Sequence, residues 1–191
     1  MQGEKPVRFA FADTLRSDAT QVIDHLKRAH IRTMLLSGDR KEITGKIAHD
    51  VGIDDYEGAL TPVQKTDIIT GLKRLGAKVL MVGDGLNDAP SLAAATISMS
   101  PTSAIDISQN AADIVFQGDA LHPVLTAWNV ARFSQRLVKQ NFWLATLYNV
   151  IAIPLAVAGC VTPLIAAIAM SASSLMVIGN ALRLNLLKEP L

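Results

Sequence analysis

The sequence predicts an α/β domain built on a parallel sheet, followed by a two-helix transmembrane hairpin. Three observations carry that expectation. Up to about residue 119, short apolar runs alternate with stretches of helical period. Asp13, Asp39 and Asp84 each stand just past the end of such a run. From Ala120 to Lys188 there is no Asp or Glu, and between Gln140 and Leu182 no Lys or Arg either.

Val7 to Ala12 reads as a first strand, bounded by Asp13. Ser17-Asp18 then offers helix-capping side chains, and Val22, Ile23 and Leu26 follow at helical spacing. Ile31 to Leu36 is a second strand, closed by Ser37-Gly38-Asp39. The next helix carries Glu42 and Lys46 at i,i+4, a pairing that supports a helix, and stops near Val51-Gly52. Thr61 is the N-cap, and Pro62 the first residue, of a third helix with Ile68, Ile69 and Leu72 on one face and its end at Gly76. Lys78 to Val82 is a third strand, closed by Gly83-Asp84-Gly85, and shorter elements run through Ile97 to Met99 and Asp113 to Phe116. Strands alternating with helices imply βαβ units, whose sites lie at the carboxyl ends of the strands. The expected boundaries are a domain over 1–119, a linking helix over 120–140 with Leu121 to Lys139 as its body, and spans over 141–160 and 163–183.

Each of the two apolar segments is near the ~20 residues needed to cross a bilayer. Arg132, Arg136 and Lys139 precede the first, and Arg183 and Lys188 follow the second. The connection, Gly159-Cys160-Val161-Thr162, is short and uncharged, so both ends are expected on the cytoplasmic side. A pair of buried helices in a soluble protein is the alternative, but such helices normally keep a polar stripe. Across the 191 residues, 18 basic side chains balance 17 acidic ones, which gives no positive field of the size nucleic acid requires. The single cysteine, Cys160, excludes a disulfide framework and reads as a small packing residue. The first residues lack the apolar core of a signal peptide and open into a strand-like run, as though the chain began in mid-domain.

Gly83-Asp84-Gly85-Leu86-Asn87-Asp88 carries the chemistry. Small residues after a strand permit a sharp turn, and two carboxylates four apart with an amide between them suit a hard divalent ion. Mg²⁺ beside a phosphoryl group is the natural use, since it neutralises charge on the transferring oxygens. A capped turn, with Asp88 opening the next helix, is the structural alternative. Ser37-Gly38-Asp39 offers a hydroxyl and backbone N–H groups at a strand end, where phosphate oxygens are held. Lys65, on the helix before the third strand, could give the same phosphate a fixed positive charge; alone it would be a surface lysine.

In the first apolar segment Asn141, Tyr148 and Asn149 are the polar groups; in the second, Met170, Ser173 and Ser174 fall on one helical face. Without a carboxylate these are poor partners for Ca²⁺ or Mg²⁺, whereas a thioether with neutral oxygen and amide groups favours a soft ion such as Cu(I). Service in helix packing explains the same residues equally well.

Ser-Gly-Asp, then TPVQK, then MVGDGLNDAPSL at these intervals resembles the haloacid-dehalogenase-like phosphorylation domain of P-type ATPases. The resemblance covers essentially the whole chain, and the last string is among the family's most specific signatures. It implies ATP as substrate and Mg²⁺ as cofactor. It gives Asp84 the Mg²⁺, Asn87 and Asp88 the support of the phosphate site, and Lys65 the neutralisation of the phosphoryl group. Ser37 would hydrogen-bond that phosphate, with Gly38 and Asp39 near the nucleotide, and Asp13 and Arg16 match the element that closes the nucleotide region. YNVIAIPLAVAG, MSASS and NALRL resemble the last two spans of the heavy-metal (P1B-type) class, copper-transporting subgroup, in which Tyr148, Asn149, Met170 and Ser174 would contact the transported ion. TISMSPTSAIDISQNAADIVF looks like the branch associated with assembly of cbb3-type cytochrome oxidase.

The partners so implied are a lipid bilayer, pump segments that precede this one, and a copper chaperone, with no nucleic acid; the implied location is a bacterial plasma membrane. Two departures stand out. The family's Thr-Gly-Asp is Ser-Gly-Asp here, which keeps the hydroxyl. No Asp-Lys-Thr-Gly-Thr occurs in the chain, so the expectation is a C-terminal segment that forms no phosphoenzyme and does not pump by itself. A stand-alone phosphatase with Asp13 as nucleophile is the competing reading, opposed by Leu15 where that chemistry wants a second Asp. A non-catalytic membrane fragment is the other.

Overall fold

The computed structural model describes residues 15–84, 86–104, 106–118 and 120–186. The expected strand at Val7 to Ala12, and Asp13 with it, lie outside the described residues. The chain forms two compact units, one up to Pro123 and one from Val124 onward.

The first unit alternates helix and strand: α1 (Ala19–Arg28), β1 (Met34–Leu36), α2 (Lys41–Val51), β2 (Asp55–Glu57), α3 (Pro62–Arg74), β3 (Leu80–Val82), α4 (Ala89–Ala94), β4 (Ile97–Pro101), α5 (Asp106–Ala111) and β5 (Ile114–Phe116). β1 pairs with β2, and β3-β4-β5 form a second group, every pairing parallel. β4 is paired on both edges, and Ser98, Met99, Ser100 and Pro101 are buried. Ala19, Ala48, Val51 and Ile53 pack as one apolar cluster with Ile23, Leu35 and Leu121 against it. β2, with the sequence Asp-Tyr-Glu, was not expected; it aligns Tyr56 with Leu35 of β1. Arg32 holds the Asp55 carboxylate at 2.6 Å, and that hydrogen bond lowers the Asp55 pKa below the ordinary carboxylate range.

The helix ends follow local chemistry. Thr61 caps α3 as foreseen: its hydroxyl accepts the Gln64 N–H at 3.3 Å while Gln64 Oε1 accepts the Thr61 N–H at 2.9 Å, with Pro62 as first residue. α2 and α3 close on Gly52 and Gly76 in the left-handed region, φ +82° and +86°. In each, the residue after the glycine donates back to the last full turn, Ile53 to Ala48 O and Ala77 to Leu72 O. α1 ends with the same pair of bonds, but the left-handed position there is His30 at φ 58°.

Two local expectations are corrected. Asp18 stands at the N-cap of α1 but makes no side-chain capping bond to it; its Oδ2 instead accepts the N–H groups of Leu121 and His122, both at 2.7 Å. The expected Glu42–Lys46 ion pair is not among those formed by the described residues; at the start of α2 Lys41 faces Glu57 instead, at 3.8 Å.

Beyond the sheet, α6 (His122–Val157) is one helix through the positions expected for the linker and the first span, and α7 (Pro163–Leu182) follows. At 1.5 Å per residue α6 is roughly 54 Å long and α7 roughly 30 Å. Both are long and apolar enough to cross a membrane, and neither apolar window is buried. Phe142, Trp143, Val157 and Leu164 are each at least 70% exposed. Between the helices Gly159 turns the chain at φ +73°, and Thr162 accepts the Ile165 N–H to start α7 behind Pro163.

Candidate functional site

β3 delivers the chain to Gly83 and Asp84 at its carboxyl end, and a single 3₁₀ turn, Leu86–Asp88, brings Asp88 back against Gly83. A Cβ on Gly83 would lie 2.9 Å from Asp88 Cβ and 3.0 Å from its Oδ2. Only glycine admits that carboxylate. Lys65, in the first turn of α3, extends to the same place: Nζ donates to Asp88 Oδ1 at 2.8 Å, and the two side chains keep only 11% and 14% of their exposure. α3 is held in that orientation by its contacts with α4. Thr66 Oγ1 meets Ser91 Oγ at 3.4 Å, and Lys73 Nζ donates to the carbonyls of Ala94 and Ala95 at the end of α4.

Asp84 is different in kind. Its side chain is 63% exposed, and Arg16 Nη2 stands 3.3 Å from Oδ2. Among the described residues Arg16 Nη1 is buried without a hydrogen-bond partner, so the guanidinium retains donor capacity at this end of the sheet. Asn87 is exposed on the 3₁₀ turn.

At the end of β1, Ser37 and Asp39 bind each other: Ser37 Oγ donates to Asp39 Oδ2 at 2.9 Å and accepts the Asp39 N–H at 3.1 Å. The Ser37 carbonyl accepts the Leu60 N–H, which draws the loop before α3 over Gly38. Among the described residues no hydrogen bond joins this pair to Lys65, Asp84 or Asp88. The structure therefore groups Arg16 with Asp84, Lys65 with Asp88, and Ser37 with Asp39. Asp13 lies outside the described residues.

Among the described residues no three acidic, His or Cys side chains cluster to cage a metal. A Mg²⁺ site does not need such a cage. The ion keeps several waters and takes one or two carboxylates plus substrate oxygens, which fits an exposed Asp84 beside a fixed ammonium. A larger open cleft of 580 Å³ contains none of these residues, and its Lys27 and Asp54 are closed on each other at 2.6 Å.

In the second unit, Tyr148 and Ser173 share a groove of 280 Å³ between α6 and α7 with Met176. Asn149, Met170 and Ser174 lie on exposed faces of their helices. Met170 and Ser173, expected on one face, thus divide between an outward surface and the groove. Met176 was overlooked; it stands one turn from Ser173, and i,i+3 spacing was the signal that could have found it.

A family model described as haloacid dehalogenase-like hydrolase matches residues 3–96. The nitrogen fixation protein FixI of Rhizobium leguminosarum bv. viciae is 54% identical over 178 residues, 93% of this chain and 23% of that protein. The copper-exporting P-type ATPase of Mycobacterium tuberculosis (strain ATCC 25618 / H37Rv) is 41% identical over 185 residues, 97% of this chain and 24% of that protein. Among solved structures, a zinc-transporting PIB-type ATPase superposes with a TM-score of 0.82 at 30% identity, over 90% of this chain and 28% of that one. The chain spans about a quarter of the length of the curated relatives it matches. In sequence and in fold, this chain belongs to the heavy-metal P-type ATPases, as a segment that joins a haloacid dehalogenase-like sheet to two long apolar helices.

Proposed function

We propose that the chain is the phosphoryl-handling and final two-span part of an ATP-driven cation pump whose cargo is Cu(I). The observation that carries the phosphoryl half is the Lys65–Asp88 pair, held in a nearly buried position beside the exposed Asp84 at the end of β3. Bringing a phosphoryl group to the sheet end places its negative oxygens near a preoriented ammonium, so charge that develops in transfer meets a dipole already in place. Asp84 would hold Mg²⁺, and the ion would neutralise the transferring oxygens. Lys65 stays fixed by Asp88, and Arg16, with one nitrogen on Asp84 and the other without a partner, is positioned to follow an incoming anion. Ser37 supplies a hydroxyl that can exchange its bond to Asp39 for one to a phosphate oxygen.

The copper assignment rests on the chemistry of the spans. They have no carboxylate, and they offer Tyr148, Asn149, Met170 and Ser174, with Ser173 and Met176 in the groove. Thioether sulfur with neutral oxygens suits a soft monovalent ion better than a hard divalent one. The exposed apolar surfaces of α6 and α7 call for lipid or neighbouring spans, and basic residues before α6 enters its apolar stretch and after α7 support a reading in which both of those ends face the cytoplasm.

The test of the phosphoryl half is Asp84→Asn in the whole pump. Phosphoenzyme formed from labelled ATP should fall by at least two orders of magnitude, with the protein still folded by circular dichroism. Undiminished phosphorylation in that variant would remove Asp84 from the reaction.

A further inference from the structure

We propose that the basic collar at the open end of the helical hairpin, Arg136, Lys139 and Arg183, binds the phosphate headgroups of anionic phospholipids. The proposal rests on α6 and α7 crossing a bilayer.

The first observation is a level mark. Asn180 Nδ2 on α7 donates to Asn141 Oδ1 on α6 at 2.8 Å and reaches Gln140 Oε1 at 3.4 Å, while Arg183 Nη1 donates to Asn180 Oδ1 at 3.1 Å. This chain of amides sets Arg183 level with Gln140 and Asn141, where the uncharged stretch of α6 begins. Phe142 and Trp143, 72% and 73% exposed, follow at once, the position at which aromatic side chains anchor a span at the lipid–water boundary. Lys139 is then roughly 3 Å and Arg136 roughly 7.5 Å outside Asn141 along the helix. The headgroup layer extends roughly 5–7 Å beyond the hydrocarbon on each side, so Lys139 starts inside it and Arg136 at its outer edge, and their long side chains bring both cations, with Arg183, to headgroup depth.

The second observation is charge. Arg132, Arg136 and Lys139 recur at i, i+4 and i+7, so they share one face of α6, and Arg136, Lys139 and Arg183 are exposed. Arg132 is engaged with the Trp128 ring, 5.5 Å from its centroid. Among the described residues neither Arg136, Lys139 nor Arg183 has an acidic partner, and residues 120–188 contain no acid. Uncompensated like charges at the depth of lipid phosphates select an anionic surface rather than a zwitterionic one. Each basic side chain at such a surface favours it by roughly fivefold.

The test uses the full chain in lipid nanodiscs with Trp128→Phe as background, which leaves Trp143 as the only indole. Acyl-brominated phosphatidylglycerol and acyl-brominated phosphatidylcholine are compared as quenchers at equal mole fraction. Stronger quenching by the glycerol lipid, lost in Arg136→Gln/Lys139→Gln and kept in Arg136→Lys, is the expected result. Equal quenching by the two lipids, or a preference that survives the double substitution, would overturn the proposal. Absence of quenching by either lipid would remove the spanning reading itself and this proposal with it.

Discussion

The Asp18 carboxylate caps the start of α6, at Leu121 and His122, 103 and 104 residues away, rather than the helix it precedes. One oxygen, Oδ2, takes the N–H groups of both Leu121 and His122 at 2.7 Å. These are donors that the first turn of a helix leaves without intrahelical partners, and a negative charge there also meets the positive end of the helix dipole.

Asp18→Ala should leave those part-buried donors unsatisfied and cost about 1–2 kcal/mol. Amide exchange should accelerate at Leu121 and His122 while the amides of β4 are unchanged. Equal acceleration throughout the first unit would show that Asp18 serves general stability rather than the start of α6.

The close fit of Asp88 against Gly83 gives a second prediction. Gly83→Ala puts a methyl group where the Asp88 side chain lies, and it should displace the carboxylate from Lys65 and reduce phosphorylation of the whole pump at least tenfold. Removing one member of a nearly buried ion pair strands the other, at a cost of about 3–5 kcal/mol. Lys65→Ala is therefore expected to destabilise the first unit by far more than Asp84→Ala, whose side chain is mostly exposed. Chemical denaturation of the two variants checks the order.

The backbone supplies a third. Three helices end on Gly52, Gly76 and Gly159 in the left-handed region, and α1 ends on His30 with the same bonds back into the helix. A side chain there costs about 1–2 kcal/mol of backbone strain that glycine avoids. His30→Gly should raise the melting temperature by a few degrees, whereas Gly52→Ala should lower it. A lower melting temperature for His30→Gly would mean that contacts of the imidazole outweigh the strain.

These elements differ in how far the sequence revealed them. Thr61, Pro62 and Gly76 marked both ends of α3 because capping is local, each signal lying within four residues of the bond it makes. The Gly83 to Asp88 string likewise announced a tight turn after a strand. β2 escaped because Asp-Tyr-Glu has neither length nor alternation; it becomes a strand only through β1. Asp18 was legible as a cap, but its object lay 103 residues away, and no local pattern encodes that distance. Lys65 by itself reads as an ordinary helical lysine and was marked only by its company with Ser37-Gly38-Asp39 and the Gly83 to Asp88 string; α4 fixes the face that α3 turns inward. In the hairpin, the sequence marked Tyr148 and Ser173 as polar groups in apolar helices, and the groove added Met176, which apolar composition had hidden among its neighbours.

The most direct test of the proposed ATP-driven Cu(I) pump is ATP hydrolysis by the whole protein in lipid with Cu(I), with Zn²⁺ or with neither. Stimulation by Cu(I) alone, lost on Met170→Ala, is the predicted result. Stimulation by Zn²⁺ with none by Cu(I) would contradict it and leave Tyr148, Asn149, Met170 and Ser174 as packing residues.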